Sequence, residues 1–254
     1  MHIRLGADVF LDGLISEENT DRLADTMQAF SLLMKVNQVE KYRACATSAM
    51  RESTNGQQVA DEVYKRTGVR IDIIDGAEEA SIIASTDISS LIQKDKDYLY
   101  IDVGGGSTEF TVFSKGKVKK SRSFPIGTVR LLDNKVSNKT WEEVEHWIKK
   151  HTKDCEHIEA IGSGGNINKI HKNSNSREGE PLSYQYLTDY YNYVSGFTYD
   201  ERIRLLGFNP DRADVILYAL TVFINAMKWS GAEIVHVPRI GLADGIVRSI
   251  YNEE

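Results

Sequence analysis

Apolar and polar positions recur along this chain with two periods. Leu23, Met27, Phe30 and Met34 repeat at helical spacing behind Ser16, Glu17 and Glu18, the makings of a capped first turn, so a helix is predicted from there. Residues 3–10 and Tyr42 to Ala46 are short and apolar enough for strands. Val69 to Ile74 alternates Val and Ile with polar residues and predicts another. A polar turn at 51–56 leads into a predicted helix near 57–66, and Gly76 precedes a second helical pattern from Ala77 to Ile92. The first 92 residues thus predict strand and helix three times over, an α/β rhythm.

A charged break at Lys94 to Asp97 separates this half from the next, giving predicted domains 1–94 and 95–254. After it come apolar strands at 98–103, 109–114 and 118–124, the last two joined by a Lys115-Gly116 turn into a hairpin. Helical patterns follow near 126–133 and 140–152, then a strand at Ile158 to Ile161 and a helix beyond Gly165. Three more helical segments lie between 183 and 228, before a strand at 234–237 and a closing helix at 243–251 that is expected to pack back on the first half. The run Val215 to Met227 is apolar at 11 of 13 positions, short of the roughly 20 a membrane span needs, so it predicts a buried core helix. The expected architecture is two α/β lobes with a cleft between them.

Charge narrows the function. The 254 residues carry 31 basic and 37 acidic side chains, net −6, which argues against a general nucleic-acid binder. Cys45 and Cys155 form neither a disulfide framework nor a metal quartet. The opening MHIRLGADVF lacks the basic and apolar regions of a signal peptide. A soluble, cytoplasmic protein without a membrane partner is expected.

The strongest chemical signal is Ile101-Asp-Val-Gly-Gly-Gly-Ser-Thr-Glu-Phe110. Gly104, Gly105 and Gly106 let backbone N–H groups approach an anion, and Ser107 and Thr108 add hydroxyl donors. Asp102 and Glu109 are hard oxygen ligands suited to Mg²⁺. A tight hairpin alone would need fewer glycines and no flanking acids. A second cluster, Gly162, Ser163, Gly164, Gly165 and Asn166, leaves a strand and opens a helix, where an anion is favoured. A third, Ala46 to Asn55, holds Thr47, Ser48, Asn55 and Arg51, whose guanidinium can fork onto a phosphate; a solvated loop is the plainer alternative. Glu78 and Glu79 open a helix at Asp75-Gly-Ala-Glu-Glu-Ala80, where acids also serve the macrodipole, and position alone does not choose between them.

In order, ATSAMRES-x-N, GAEEA, IDVGGGSTEF, SFPIGTVRL, AIGSGGN and GLADGIV resemble the Ppx/GppA family of exopolyphosphatases and guanosine pentaphosphate phosphohydrolases over nearly the whole chain. The resemblance implies two ribonuclease-H-like lobes of the actin-like ATPase superfamily around a cleft. It implies Mg²⁺-assisted hydrolysis of the terminal phosphoanhydride of polyphosphate or guanosine pentaphosphate, and in many members a homodimer. By matching position, Glu79 is the general base, Asp102 and Glu109 lie at the metal, and Arg51, Asn55, Gly104 to Ser107 and Gly162 to Asn166 face phosphate. The family's opening strand hairpin with its Asp-x-Gly-Ser-x-Ser loop has no counterpart in these residues. The first lobe is therefore expected to lack it, and hydrolysis by these residues alone is expected to be weak or absent.

Two rivals remain at this point: a kinase or ATPase of the same superfamily, and a non-catalytic sensor of polyphosphate or alarmone. Lys115, Lys117, Lys119, Lys120 and Arg122 make a basic hairpin that could trail a long polyanion, although solvated edge lysines that block aggregation are the simpler reading. The six histidines show no ligand spacing, and Trp141, Trp147 and Trp229 read as packing residues.

Overall fold

The structure, a computed structural model, describes residues 3, 5–84, 92, 93, 95–177, 179–238 and 241–252. The chain divides into two compact units, Met1–Ile83 with Leu242–Glu254, and Ala84–Gly241.

The first unit runs α1 (Leu5–Asp12), α2 (Glu17–Val36), β1 (Ala44–Ala46), α3 (Ser48–Glu52), α4 (Gly56–Thr67), β2 (Ile71–Ile73) and α5 (Gly76–Ala84). The closing helix, Leu242–Asn252, belongs to it and is α13 below. The opening segment is a helix, not the strand its composition suggested. A short apolar run fits either period, and here Asp8 decides it. Its carboxylate accepts from Ser16 N at 2.9 Å, from Asn19 Nδ2 at 2.7 Å and from Ser16 Oγ, tying α1 to the cap of α2. Ser16 caps α2 as its sequence implies, Oγ accepting from Asn19 N. The buried face of α2 is Thr20, Leu23, Ala24 and Thr26, whereas Phe30 of the predicted stripe is 52% exposed. Strands β1 and β2 pair in parallel over three residues each, shorter than predicted. The polar stretch at 51–56 is split between the end of α3 and the start of α4. Residues 85–91 of the predicted helix from 77 to 92 lie outside the described residues. Ile246 of α13 packs with Ile74 and Ile82.

The second unit is built on a six-stranded sheet of β3 (Asp97–Val103), β4 (Thr108–Ser114), β5 (Lys117–Phe124), β6 (Ile158–Ser163), β7 (Leu182–Ser183) and β8 (Ile234–His236), in the order β5-β4-β3-β6-β8-β7. β5, β4 and β3 form an antiparallel meander, and β3, β6 and β8 run parallel. Lys115 (φ 52°) and Gly116 (φ 75°) both take positive φ, the geometry that joins β4 to β5 with matching twist. The helices are α6 (Thr128–Leu132), α7 (Asn138–Thr152), α8 (Gly165–Asn173), α9 (Tyr184–Ser195), α10 (Tyr199–Arg204), α11 (Pro210–Ala213) and α12 (Ile216–Ser230). Four helices thus occupy 183–228 where three were predicted, because α10 and α11 are separate short turns, each with its own N-terminal stop: a capping box at Thr198 and Glu201, and Pro210 at the first turn. α12 is the expected core helix. Ile216, Ala219, Leu220, Phe223, Ala226 and Met227 are all fully buried in one cluster with Leu99, Ile101, Ala160 and Val235. Burying a side chain such as Phe223 contributes about 1.5–3 kcal/mol. Among the described residues no helix is long and apolar enough to cross a membrane.

The rear of the sheet is stitched by Glu159 on β6, which accepts from Lys96 Nζ at 2.6 Å and pairs with His236 Nε2 at 2.7 Å. Burial alone would raise the Glu159 carboxyl, but the bonds from Lys96 and His236 outweigh it and hold it below the usual glutamate range. Such a group stabilises the fold above that range and loses its contribution as pH falls through its lowered value. Glu159→Gln is expected to lower the melting temperature by about 3–6 °C near neutral pH, with the gap to wild type closing below pH 4 in a calorimetric series.

Candidate functional site

The sheet topology assembles most of the chemistry at the end of β3. Asp102 is opposite Glu109 of β4 and, on its other side, opposite Ser163 of β6. Sequence positions 54 residues apart thus flank one carboxylate. Gly164 follows at φ 106°, a conformation that favours glycine. A Cβ there would stand 2.9 Å from Val103 O and 3.5 Å from Asp102 Oδ1. The second glycine cluster therefore lies directly on the first acid.

The turn between β3 and β4 has a clear division of polar groups. Gly104 N donates to Ser107 O at 3.0 Å and closes the turn. The carbonyls face the segment after β5. Gly104 O accepts from Thr128 N, Gly105 O from Val129 N at 2.9 Å, and Gly106 O from Arg130 Nε at 2.6 Å. Gly127 must be glycine for this to happen, since a Cβ would fall 2.1 Å from Gly105 O. With the carbonyls so held, the N–H groups of Gly105, Gly106 and Ser107 have no acceptor among the described residues. Three successive donors without partners form an anion-binding concavity.

Glu109 is 3% exposed and accepts from Ser107 Oγ at 2.7 Å and Ser123 Oγ at 2.8 Å. Ser107 thus gives its proton to the acid, and its lone pairs and N–H are what it has left to offer a ligand. Asp102 accepts a long bond from the buried Tyr100 hydroxyl at 3.4 Å. Burial, then the neighbouring charge of Glu109, push the Asp102 carboxyl up to about 7. Two carboxylates side by side in a sparsely solvated place resist joint ionisation unless a cation joins them. Among the described residues no three His, Cys, Asp or Glu side chains stand together. A two-carboxylate set suits Mg²⁺, which keeps several waters and completes its shell with phosphate oxygens.

Beyond Gly164, α8 starts without a side-chain cap, and Asn166 Oδ1 is buried with no hydrogen-bond partner among the described residues. The guanidinium of Arg212 lies over the helix start, with Nη2 3.0 Å from where a Cβ of Gly165 would be. Arg212, Lys169 and Lys172 line a cavity of about 400 Å³ with Asn168, Gly207 and Asn209. Sequence reasoning missed this cationic frame, because Arg212 reaches the glycines from α11, 46 positions downstream of Asn166. It also missed Thr128 and Arg130 as the supports of the first turn.

In the first unit, Arg51 and Glu79 meet. Arg51 Nη1 donates to Ile74 O at 2.8 Å and stands 3.7 Å from Glu79 Oε2. Glu79 is 7% exposed. Glu78 faces outward, pairs with Arg43 at 2.6 Å, and its N–H is capped by Asp75. The two adjacent acids have separate surroundings: one is a helix-start surface acid and the other is buried beside a guanidinium. Asn55, expected to face phosphate, is engaged elsewhere. Its Oδ1 accepts from Ile15 N and its Nδ2 donates to Ile15 O, both at 2.8 Å. Both ends of the amide clamp the chain ahead of α2, so the Asn55 side chain is committed to the fold and has no phosphate-binding role. Asn55→Ala is expected to cost about 1–3 kcal/mol in urea unfolding while leaving phosphate-analogue affinity unchanged; a loss of affinity at unchanged stability would reverse that assignment.

Bare main-chain donors beside paired carboxylates, at the carboxyl end of a parallel strand, are the chemistry of an oxyanion site in an α/β protein. The chain belongs to the Ppx/GppA phosphatase family, whose pattern matches residues 1–254. It is 28% identical to a bifunctional 3-dehydroquinate synthase/phosphatase of Fusobacterium nucleatum over 92% of this chain, but spans only 39% of that protein's length. It is 22% identical to exopolyphosphatase 1 of Mycobacterium leprae over 92% of this chain and 75% of the relative. A solved exopolyphosphatase from Cytophaga hutchinsonii superposes with a TM-score of 0.85 at 23% identity, covering 99% of this chain and 88% of that one. A Ppx/GppA family member from Aquifex aeolicus gives 0.75 at 21% identity, over 99% and 87%. These structures share the fold described above.

Proposed function

We propose that the protein hydrolyses the terminal phosphoanhydride of a linear phosphate chain, inorganic polyphosphate or guanosine pentaphosphate, with Mg²⁺ held by Asp102 and Glu109. The observation that carries this reading is the placement of those two carboxylates as register partners beside the unpartnered N–H groups of Gly105, Gly106 and Ser107. The N–H groups grip the oxygens of the terminal phosphoryl, and the Gly162 to Asn166 loop, backed by Arg212, offers a second set of donors. Mg²⁺, when bound, would neutralise charge developing on the transferred and bridging oxygens. Glu79 takes the proton of the attacking water, and Arg51 orients that carboxylate and faces phosphate. Phosphoryl transfer asks mainly for positioning and charge stabilisation, so a site this sparse suffices. The names of the mycobacterial relatives favour polyphosphate as substrate.

The test is phosphate release in single turnover, with protein in excess over labelled polyphosphate or guanosine pentaphosphate, in Mg²⁺ and in EDTA. Weak, Mg²⁺-dependent release from the chain end is expected. Saturable ATP binding by calorimetry, with no phosphate released from either substrate, would instead favour a kinase or ATPase.

A further inference from the structure

The segment Ser114 to Arg122 carries five cations and no acid in a chain of net charge −6. It forms most of β5, which among the described residues is an edge strand paired only with β4, and its basic side chains are all exposed. A register shift between Val112 and Phe113 leaves Lys119 as the extra residue between Val118 and Lys120. Lys119 Nζ reaches the carbonyl of His151 at 3.3 Å, in the last turn of α7, where Lys149 and Lys150 also lie. Lys149 pairs with Glu145, and Arg122 with Glu143 at 3.7 Å. Lys115, Lys117, Lys120, Lys150 and Lys153 have no ion-pair partner among the described residues. Burial and then the fields of Lys150, Lys120 and Lys119 lower the His151 ring below its ordinary range, so three lysines converge on one point. Of the nearby acids, Asp97 hydrogen-bonds Cys155, and the charge of Asp154 also acts on that thiol.

Edge protection needs one or two lysines; a solvated edge ordinarily mixes both signs. This ridge has one sign, and it has a direction. β5 rises about 24 Å at ~3.4 Å per residue from the hairpin tip toward Ser123, which is bonded to Glu109, and the chain then enters the Gly127 to Arg130 support of the glycine turn. We infer that β5 and the last turn of α7 are a secondary site for polyphosphate, which holds the distal units of a chain whose terminal phosphoryl lies at the Gly104 to Ser107 turn. This rests on the hydrolase reading above. Lys117, Lys119, Lys120 and Lys150 are its principal cations.

The experiment measures binding of long-chain polyphosphate and of tripolyphosphate to the full chain in EDTA across a salt series. The triple variant Lys117→Ser, Lys119→Ser, Lys120→Ser is expected to lose at least about 10-fold in long-chain affinity and to flatten the log–log salt slope by about 2, near 0.7 for each phosphate that the variant leaves unneutralised. Tripolyphosphate, too short to reach the ridge from the turn, is expected to bind equally to both proteins. Unchanged long-chain affinity and slope would overturn the assignment. So would single-stranded DNA of matched charge competing as well as polyphosphate, which would make the ridge a general polyanion surface. A second variant, Lys150→Ser with Lys153→Ser on the helix side, reads the same affinity without touching the strand. Failure of the hydrolase reading looks different: no phosphate released by wild type, while long-chain binding still depends on these lysines.

Discussion

Glu79→Gln is expected to lower single-turnover phosphate release by about 10²–10⁴-fold, the usual worth of a positioned general base, with substrate affinity little changed. The substitution keeps size and shape, so Arg51 loses a charge partner at 3.7 Å but retains its bond to Ile74 O at 2.8 Å, and the fold persists. Glu78→Gln is the matched control. Glu78 is exposed and pairs with Arg43 on the surface, where such a pair contributes about 0–1 kcal/mol, so its loss is expected to leave the rate intact. Equal effects of the two substitutions, or a wild-type rate for Glu79→Gln, would remove Glu79 from the mechanism.

Asp102→Asn is expected to move stability and activity in opposite directions. The Asp102 carboxyl is raised from 3.8 to about 7, first by burial and then by Glu109. Below about pH 4 it is protonated in the folded and unfolded chain alike and costs nothing. As pH rises toward 7 the unfolded chain releases the proton while the folded chain keeps it, so stability falls, and above 7 the full cost is present. Three pH units at 1.36 kcal/mol each set that cost at about 4 kcal/mol in the absence of metal. Asn carries no such charge. The variant is therefore expected to melt higher than wild type at pH 7.5 in EDTA, and the advantage is expected to vanish near pH 4. Adding Mg²⁺ is expected to stabilise wild type and not the variant, and phosphate release by the variant is expected to drop by about 10²–10³-fold. A variant less stable than wild type in EDTA at pH 7.5 would show that the Asp102 charge is already compensated within the protein.

What the sequence disclosed depended on how local each feature is. The strand ending at Asp102, its three glycines and the Lys115-Gly116 turn declare themselves within ten residues, and the structure builds them at β3, β4 and the hairpin. The cap at Ser16 is equally local. The opening helix was not legible, since bonds from the start of α2 to Asp8, eight residues back, select it over a strand. The role of SFPIGTVRL was legible as a motif and not as chemistry: Gly127, Thr128 and Arg130 act by holding the carbonyls of a turn more than 20 positions earlier. Asn55 shows the converse. A polar residue after a strand looks like a ligand group, and only its bonds to Ile15, 40 residues earlier, show that its amide is committed to the fold.

The measurement closest to the core of this account is the anomalous scattering of Mn²⁺, in place of Mg²⁺, in crystals grown with a non-hydrolysable phosphate-chain analogue. A single strong peak is expected about 2.0–2.2 Å from carboxylate oxygens of both Asp102 and Glu109, with the analogue's terminal oxygens on the N–H groups of Gly105, Gly106 and Ser107. A peak elsewhere, or an analogue bound with those three N–H groups pointing away from it, would contradict the account.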